Sequence, residues 1–445
     1  MREPLKKSEL VAMETSDNIV AVSIAYPNKL ILEAETILSQ ASKIVASLLL
    51  LLFLTGQAFS LTWREALELA PRNSNEIKSA KKQLEVAQWT YYKSYSGFLP
   101  QVSASMSTGQ SENSSGQSTS YSYGINVSQA LFKGLSNYYN LSSAGTSLKY
   151  YQASLQNNEA DYYYQLRQAY INLYLSQQNL TMLKQIRESR SENARMIKLL
   201  YDSGKEDNGN YLRTQAQLKD ADYNVASAGR QLELARLKLA QVLNTDAASV
   251  ESVALSAIET PDYDALLKAA PAYRMAKGQL ELASIQQQST ISEFLPSVSL
   301  QGSYSKSGSS WPPDATNKSL SLSLSYSLFP GGSNLADRVI TNAQYDKAKE
   351  DYASTEKDLL YTLKQNYLQL QDAVENQKIQ QEYLAASTER SRIAQVKYLN
   401  GLISYTEWDQ IQNEYISAQG SLLNANKSAL LAEANWFKSF GGWIK

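Results

Sequence analysis

The sequence predicts a mostly α-helical protein with a membrane β portion, in which long antiparallel helical hairpins are joined to pairs of β-strands. Three observations lead there. Ser136–Ser203 runs without a proline, and its apolar residues Leu166, Tyr170, Leu173, Leu180 and Leu183 follow coiled-coil spacing. At about 1.5 Å per residue that segment is a rod on the order of 100 Å long, too long for a compact domain. Ser319–Leu328 alternates Ser with Leu or Tyr at every position. A strand sorts such residues onto two faces, whereas a helix smears them around its circumference. The third observation is that the chain is written twice.

Gln83-Leu84-Glu85-Val86-Ala87 recurs as Gln279-Leu280-Glu281-Leu282-Ala283, and Phe98-Leu99-Pro100 as Phe294-Leu295-Pro296. Leu131-Phe132-Lys133-Gly134 recurs as Leu328-Phe329-Pro330-Gly331, and Tyr201 with Gly204 as Tyr398 with Gly401. The offset holds at 196 or 197 positions (Phe98 to Phe294, Gly204 to Gly401). A constant offset of that size marks two large equivalent halves rather than solenoid repeats.

Residues 1–60 read as an upstream extension and a cleaved signal peptide. Ile44–Leu54 is an apolar run preceded by Lys43 and followed by Ala58-Phe59-Ser60, a small-x-small cleavage pattern. The run is shorter than the ~20 residues of a membrane-spanning helix. Cleavage after Ser60 is expected, with nothing upstream contributing to the mature fold. The long stretch before the apolar run suggests a mis-assigned start.

The first repeat, 61–243, begins with a helix over Thr62–Ser96, with Pro71 near its start and Gly97 and Pro100 ending it. A strand pair follows over 98–131. Val102, Ala104 and Met106 alternate with serines, as do Tyr121, Tyr123, Ile125 and Val127 with Ser122, Asn126 and Ser128. Gly109–Thr119 between them is polar and reads as an exposed loop. The long helix Ser136–Ser203 ends at Gly204, and a second helix returns over Tyr211–Leu243. An equatorial linker, 244–263, carries small and acidic residues with Pro261. The second repeat, 264–445, follows the same order: a helix, a strand pair over 295–329 with Lys306–Lys318 as its loop, a long helix to the Asn400-Gly401 stop, and a return helix over Tyr405–Phe440.

The strands have about the length of membrane β-strands, and Tyr suits an interfacial girdle. An ordinary soluble sandwich is the competing reading. Four strands cannot close a barrel, and an open edge is not tolerated in lipid, so a membrane barrel must be shared between copies.

Composition narrows the chemistry. In 445 residues there are 42 basic and 43 acidic side chains, no Cys and no His. The balance gives no electrostatic case for nucleic acid. Without Cys there are no disulfides, thiol nucleophiles or acylated N-terminal Cys, and without His the commonest general base and zinc ligand are missing. Gly331-Gly332 lacks the Lys-Ser/Thr of a phosphate loop. No catalytic constellation, cofactor site or metal site is expected. The 30 Tyr suit surfaces that are part apolar and part wet.

With the two-fold repeat, the paired Phe-Leu-Pro before a strand, the Leu-Phe-x-Gly exit and the Tyr-x-x-Gly between long helices, the chain resembles the TolC-type outer-membrane efflux family over about Leu61–Lys445. The resemblance implies a homotrimer whose protomers each give four strands to a shared twelve-stranded β-barrel, with the helices continuing as a periplasmic α-barrel. It implies a passive duct in the outer membrane of a Gram-negative envelope, for tripartite efflux or type I secretion. The implied partners are outer-membrane lipid, a periplasmic membrane-fusion adaptor and an inner-membrane pump of RND or ABC type. The alternative is a periplasmic helical-hairpin adaptor or structural protein.

The family pattern places a gate at the periplasmic tip: a Tyr three residues before the turn glycine, an Arg two after it, and carboxylates about six and nine after. Tyr398 matches. Ile403 stands where the Arg is expected, Glu407 fills the first acidic place, and Gln410 the second, beside Asp409. Asn210 replaces the acid in the first half. The expectation is a looser gate in which Tyr398 hydrogen-bonds Asn210 and Glu407 forms a three-fold acidic ring. The plainer reading of Glu407 is a solvated residue favoured by the helix dipole. The turn residues Gly204, Lys205, Gly401, Leu402 and Ile403 are the expected adaptor contacts.

Overall fold

The computed structural model describes residues 60–113, 116–246, 249–256 and 260–443. The apolar run and the small-x-small pattern through Phe59 lie outside them. Ser60 departs from the expectation that nothing before Leu61 takes part in the fold. Strand β1 (Ser60–Leu61) pairs in parallel with β4 (Ser249–Val250), Ser60 opposite Ser249.

The predicted first helix is two helices, α1 (Trp63–Asn73) and α2 (Asn75–Ser94), followed by a 3-10 turn. Ser74 between them is extended, and its Oγ accepts the Ile77 amide at 3.1 Å. It thereby satisfies one of the four amides that a helix start leaves without partners. The second half breaks at the equivalent place, between α5 (Tyr263–Ala269) and α6 (Pro271–Ser289), with Pro271 in the first turn.

The long helices are α3 (Ser136–Asp202) and α7 (Ser333–Leu399), each of 67 residues, and α4 (Asn208–Leu243) and α8 (Tyr405–Ser439) return beside them. The two turns are built alike. Gly204 (φ 71°) and Gly401 (φ 70°) are left-handed. Lys205 N–H bonds the Leu200 carbonyl and Leu402 N–H the Lys397 carbonyl, at 2.8 and 2.9 Å. These six-to-one bonds, with a glycine at the reversal, cap both helices and need a residue without a Cβ penalty.

One antiparallel sheet joins the halves in the order β2 (Gln101–Asn113), β3 (Gly116–Lys133), β5 (Ser297–Gly308), β6 (Ala315–Ser325). The expected loop Gly109–Thr119 is mostly strand, because pairing continues to Asn113 opposite Gly116. Its polar residues continue the alternation, so polarity there marked a wet strand end rather than a loop. Lys306–Lys318 is likewise paired at both ends, and β6 stops at Ser325, short of Leu328.

Register gives the sheet two chemically distinct faces. Leu320, Leu322 and Leu324 lie opposite Gly302, Leu300 and Val298, and Val102 lies opposite Val127. The other face is almost all hydroxyl. Ser107 bonds Ser122 and Ser303 bonds Ser319 across the strands, each at 2.7 Å. Both edges, β2 and β6, are unpaired within the chain.

The main core lies where helices, linker and the start of the described chain converge. Tyr170, fully buried, donates to the Leu61 carbonyl at 2.7 Å, and Trp63 meets its ring edge-on. Arg167 and Glu433 are buried as a pair, 3.5 Å apart. Trp63 stacks on the guanidinium at 4.6 Å, and the Ser256 amide donates to Glu433 at 2.6 Å. Burial pulls the Arg167 guanidinium below its ordinary value, and the Glu433 charge opposes that.

Candidate gate at the hairpin tips

The two hairpin turns lie beside each other, and the side chains behind them form an aromatic cluster. Tyr398 stacks on Trp408 with ring centres 4.8 Å apart and planes 10° from parallel. Tyr405 meets both rings, and its hydroxyl bonds Thr214 of α4 at 2.9 Å. The Trp408 indole donates to Gln395 at 2.8 Å. On the other hairpin, Tyr201 and Tyr211 stack at 5.1 Å.

Tyr398 does not bond Asn210 directly. Its hydroxyl donates to Glu206 Oε2 at 2.7 Å, and Asn210 Nδ2 donates to the other oxygen, Oε1, at 2.8 Å. Glu206 is thus the link between the hairpins. It lies four positions before Asn210, in the bend ahead of α4. Asn210 is held further by Asp207, the N-cap of α4, through both its amide and its side chain. Burial pushes the Tyr398 phenol well above its ordinary range, and the Glu206 carboxylate adds to this by accepting from the neutral hydroxyl.

Deeper in, an ion-pair cluster crosses from α8 to the first hairpin. Asp409 is 1% exposed. Its Oδ1 accepts from Arg190 of α3 at 3.3 Å and from Gln217 of α4 at 2.9 Å. Arg213 of α4 approaches Oδ2 at 2.8 Å, off the hydrogen-bonding direction. Arg190 also bonds Asn413 at 2.5 Å and Gln217 at 3.3 Å. Arg190 is 7% exposed, so this is a buried charge with a satisfied fork, whereas Arg213 is more than half in solvent.

The remaining predicted residues stand apart from this cluster. Glu407 is exposed in the first turn of α8, its amide capped by Ser404 at 3.2 Å. Gln410 is exposed and bonds Glu414 along the helix at 3.3 Å. Gly204, Lys205, Gly401 and Leu402 are exposed on the turns, Leu402 to 71%. Ile403, in the place expected for an arginine, is half-buried against the Tyr398–Trp408 cluster. The arginines come instead from the first hairpin and reach a carboxylate one position before Gln410. The signal available in the sequence was Asp409 itself, an acid on the same stretch as the core-facing Trp408, Ile411 and Gln412.

Among the described residues no helix is long and apolar enough to cross a membrane, and this says nothing of a β-barrel. The family model described as "outer membrane efflux protein" matches residues 66–245 and again 263–442. The outer membrane efflux protein BepC of Brucella suis biovar 1 (strain 1330) is 21% identical over 417 residues, covering 89% of this chain and 90% of that protein. The crystal structure of CusC superposes with a TM-score of 0.78 at 17% identity, covering 85% of this chain and 92% of that one. The Campylobacter jejuni CmeC outer membrane channel gives 0.76 at 16% identity, covering 85% and 86%.

Proposed function

The chain belongs to the outer membrane efflux protein family, whose model matches both of its halves, and from that premise we propose a homotrimeric, passive export duct gated at its periplasmic tip. Its place is the outer membrane, with the helices in the periplasm. The observation that carries the shared barrel is the sheet: four strands, two open edges, one apolar face and one serine face. Edges like these cannot stay unpaired in lipid, so β6 of one copy pairs with β2 of the next until the barrel closes. The serine face then lines the lumen and the leucine face meets lipid. Closure needs at least two copies, and the number three is taken from the family resemblance, giving twelve strands.

The duct has no catalytic role of its own. An inner-membrane pump, of RND or ABC type, supplies energy through a periplasmic adaptor that meets the turns at Lys205 and Leu402. The closed state is held by the Tyr398–Glu206–Asn210 link and the Asp409 cluster, because both tie α7 or α8 of the second hairpin to the first. Glu407, on the exposed side of the first turn, forms the acidic ring. The native absence of cysteine allows a direct test. Ser303→Cys, in intact cells, should react with a water-borne thiol reagent, and Leu322→Cys should not. The protein should also be recovered from outer membranes as an oligomer. The opposite labelling pattern, or recovery as a soluble monomer, sinks the proposal.

A further inference from the structure

Two lysines interrupt the apolar face of the sheet at one level. Lys318 continues the Leu324, Leu322, Leu320 row of β6, and Lys306 lies on the same face of β5, opposite Tyr123 and Thr316. The Lys318 ammonium sits 5.8 Å from the Tyr304 ring. Trp311, in the turn between these strands, packs on Tyr121 and Tyr123 at 6.2 and 5.9 Å. Neither lysine makes an ion pair with any described residue, nor do Glu112 and Asp314, the carboxylates at this end of the sheet. Two unpaired cations on a surface that faces lipid need a counter-charge from outside the chain.

We propose that Lys306 and Lys318, framed by Tyr123, Tyr304 and Trp311, bind the phosphate of a phosphorylated lipid in the outer leaflet. The inference rests on the outer-membrane reading of the leucine face. Position supports it. Lys318 follows Leu320 at the end of the leucine row nearest the β5–β6 turn, and Leu324 lies at the opposite end, beside the strand ends that lead to the helices. In the proposed orientation the turn end is the outer one, so the lysines stand where the apolar row gives way to the head-group level. Diagonal neighbours on adjacent strands are roughly 7–8 Å apart, so flexible lysine stems can converge on one phosphate. The aromatic rings around them are the amphipathic type that settles at head-group level. In a trimer the site occurs three times.

The test is titration of the purified trimer with diphosphorylated lipid A, counting bound lipids by native mass spectrometry. The expected result is saturable binding of up to three lipids. Lys306→Gln with Lys318→Gln should weaken it roughly 30-fold, at roughly 5-fold per surface lysine. Lys306→Arg with Lys318→Arg should keep it. Dephosphorylated lipid A and inorganic phosphate should bind no better than to the Gln pair. Equal affinity in wild type and the Gln pair, or no binding by wild type, overturns the site and leaves the channel reading standing. Labelling of Leu322→Cys from water removes the channel reading itself, independently of the lipid result.

Discussion

Replacing Asp409 with alanine isolates the strongest single interaction at the candidate gate. Asp409 is 1% exposed, and its removal strands Arg190, 7% exposed, without a counter-charge. Breaking a buried ion pair from one side costs about 3–5 kcal/mol, most of it the uncompensated charge left behind. Arg213 adds about 0–1 kcal/mol at most, since more than half of it is in solvent. If the cluster holds the tips closed, the closed state loses about two to four orders of magnitude against the open one. Single-channel recording in planar bilayers should then show long high-conductance openings that wild type lacks. The Arg190→Ala, Asp409→Ala double variant is the sharper measurement. Removing both partners takes away the stranded charge, so the double variant should be closer to wild type than Asp409→Ala alone. Wild-type conductance in Asp409→Ala, or a double variant worse than either single one, would refute the reasoning.

Tyr398→Phe removes one hydrogen bond to the Glu206 carboxylate, worth about 1.5–3 kcal/mol, and should raise the open probability less than Asp409→Ala does in the same bilayers. Glu407→Gln should lower cation selectivity, read as the reversal potential in a salt gradient; unchanged selectivity returns Glu407 to a solvated helix-start role. Tyr162 and Tyr170 are pushed up to about 12, chiefly by burial. The folded state therefore holds these protons more tightly than the unfolded chain does. Their contribution is intact below the ordinary tyrosine value of 10.0 and is lost as pH rises from there toward 12. Thermal unfolding of the detergent-solubilised protein should shift down over that window, and less in Tyr170→Phe.

The architecture was legible because its signals are long. Sixty-seven-residue helices and a repeated offset accumulate evidence over many positions, and both turn glycines stand where the left-handed reversal requires them. Short-range polarity misled at Gly109–Thr119, since serine and glycine in a wet strand look like loop composition while the cross-strand pairing that holds them is not local. The candidate site was half legible. Tyr398 could be found from its distance to Gly401. Its partner Glu206 comes from the other hairpin, 192 positions away, and nothing local ties the two together. The same holds for Arg190 and Asp409, 219 positions apart.

Duplication also hides how unequal the halves have become. Asp207 and Ser404 cap the return helices α4 and α8, so Leu212 on α4 occupies the place of Asp409 on α8. Ordinary burial is inverted there: the leucine is 57% exposed and the aspartate 1%. The inversion makes sense only if the two helices face different surroundings. Asp409 looks inward to the first hairpin of its own chain, where Arg190 and Gln217 compensate its charge. Leu212 shares its helix face with Tyr223 and Leu234, all more than half exposed, at a spacing of ~11 residues that returns nearly the same direction. Gln215, Lys219 and Arg230 stand between them on the same face, so the three are single apolar groups on a wetted helix surface rather than a continuous stripe. Repeat-equivalent positions thus meet different surroundings: Asp409 closes contacts within the chain, while Leu212 stands on an exposed helix surface.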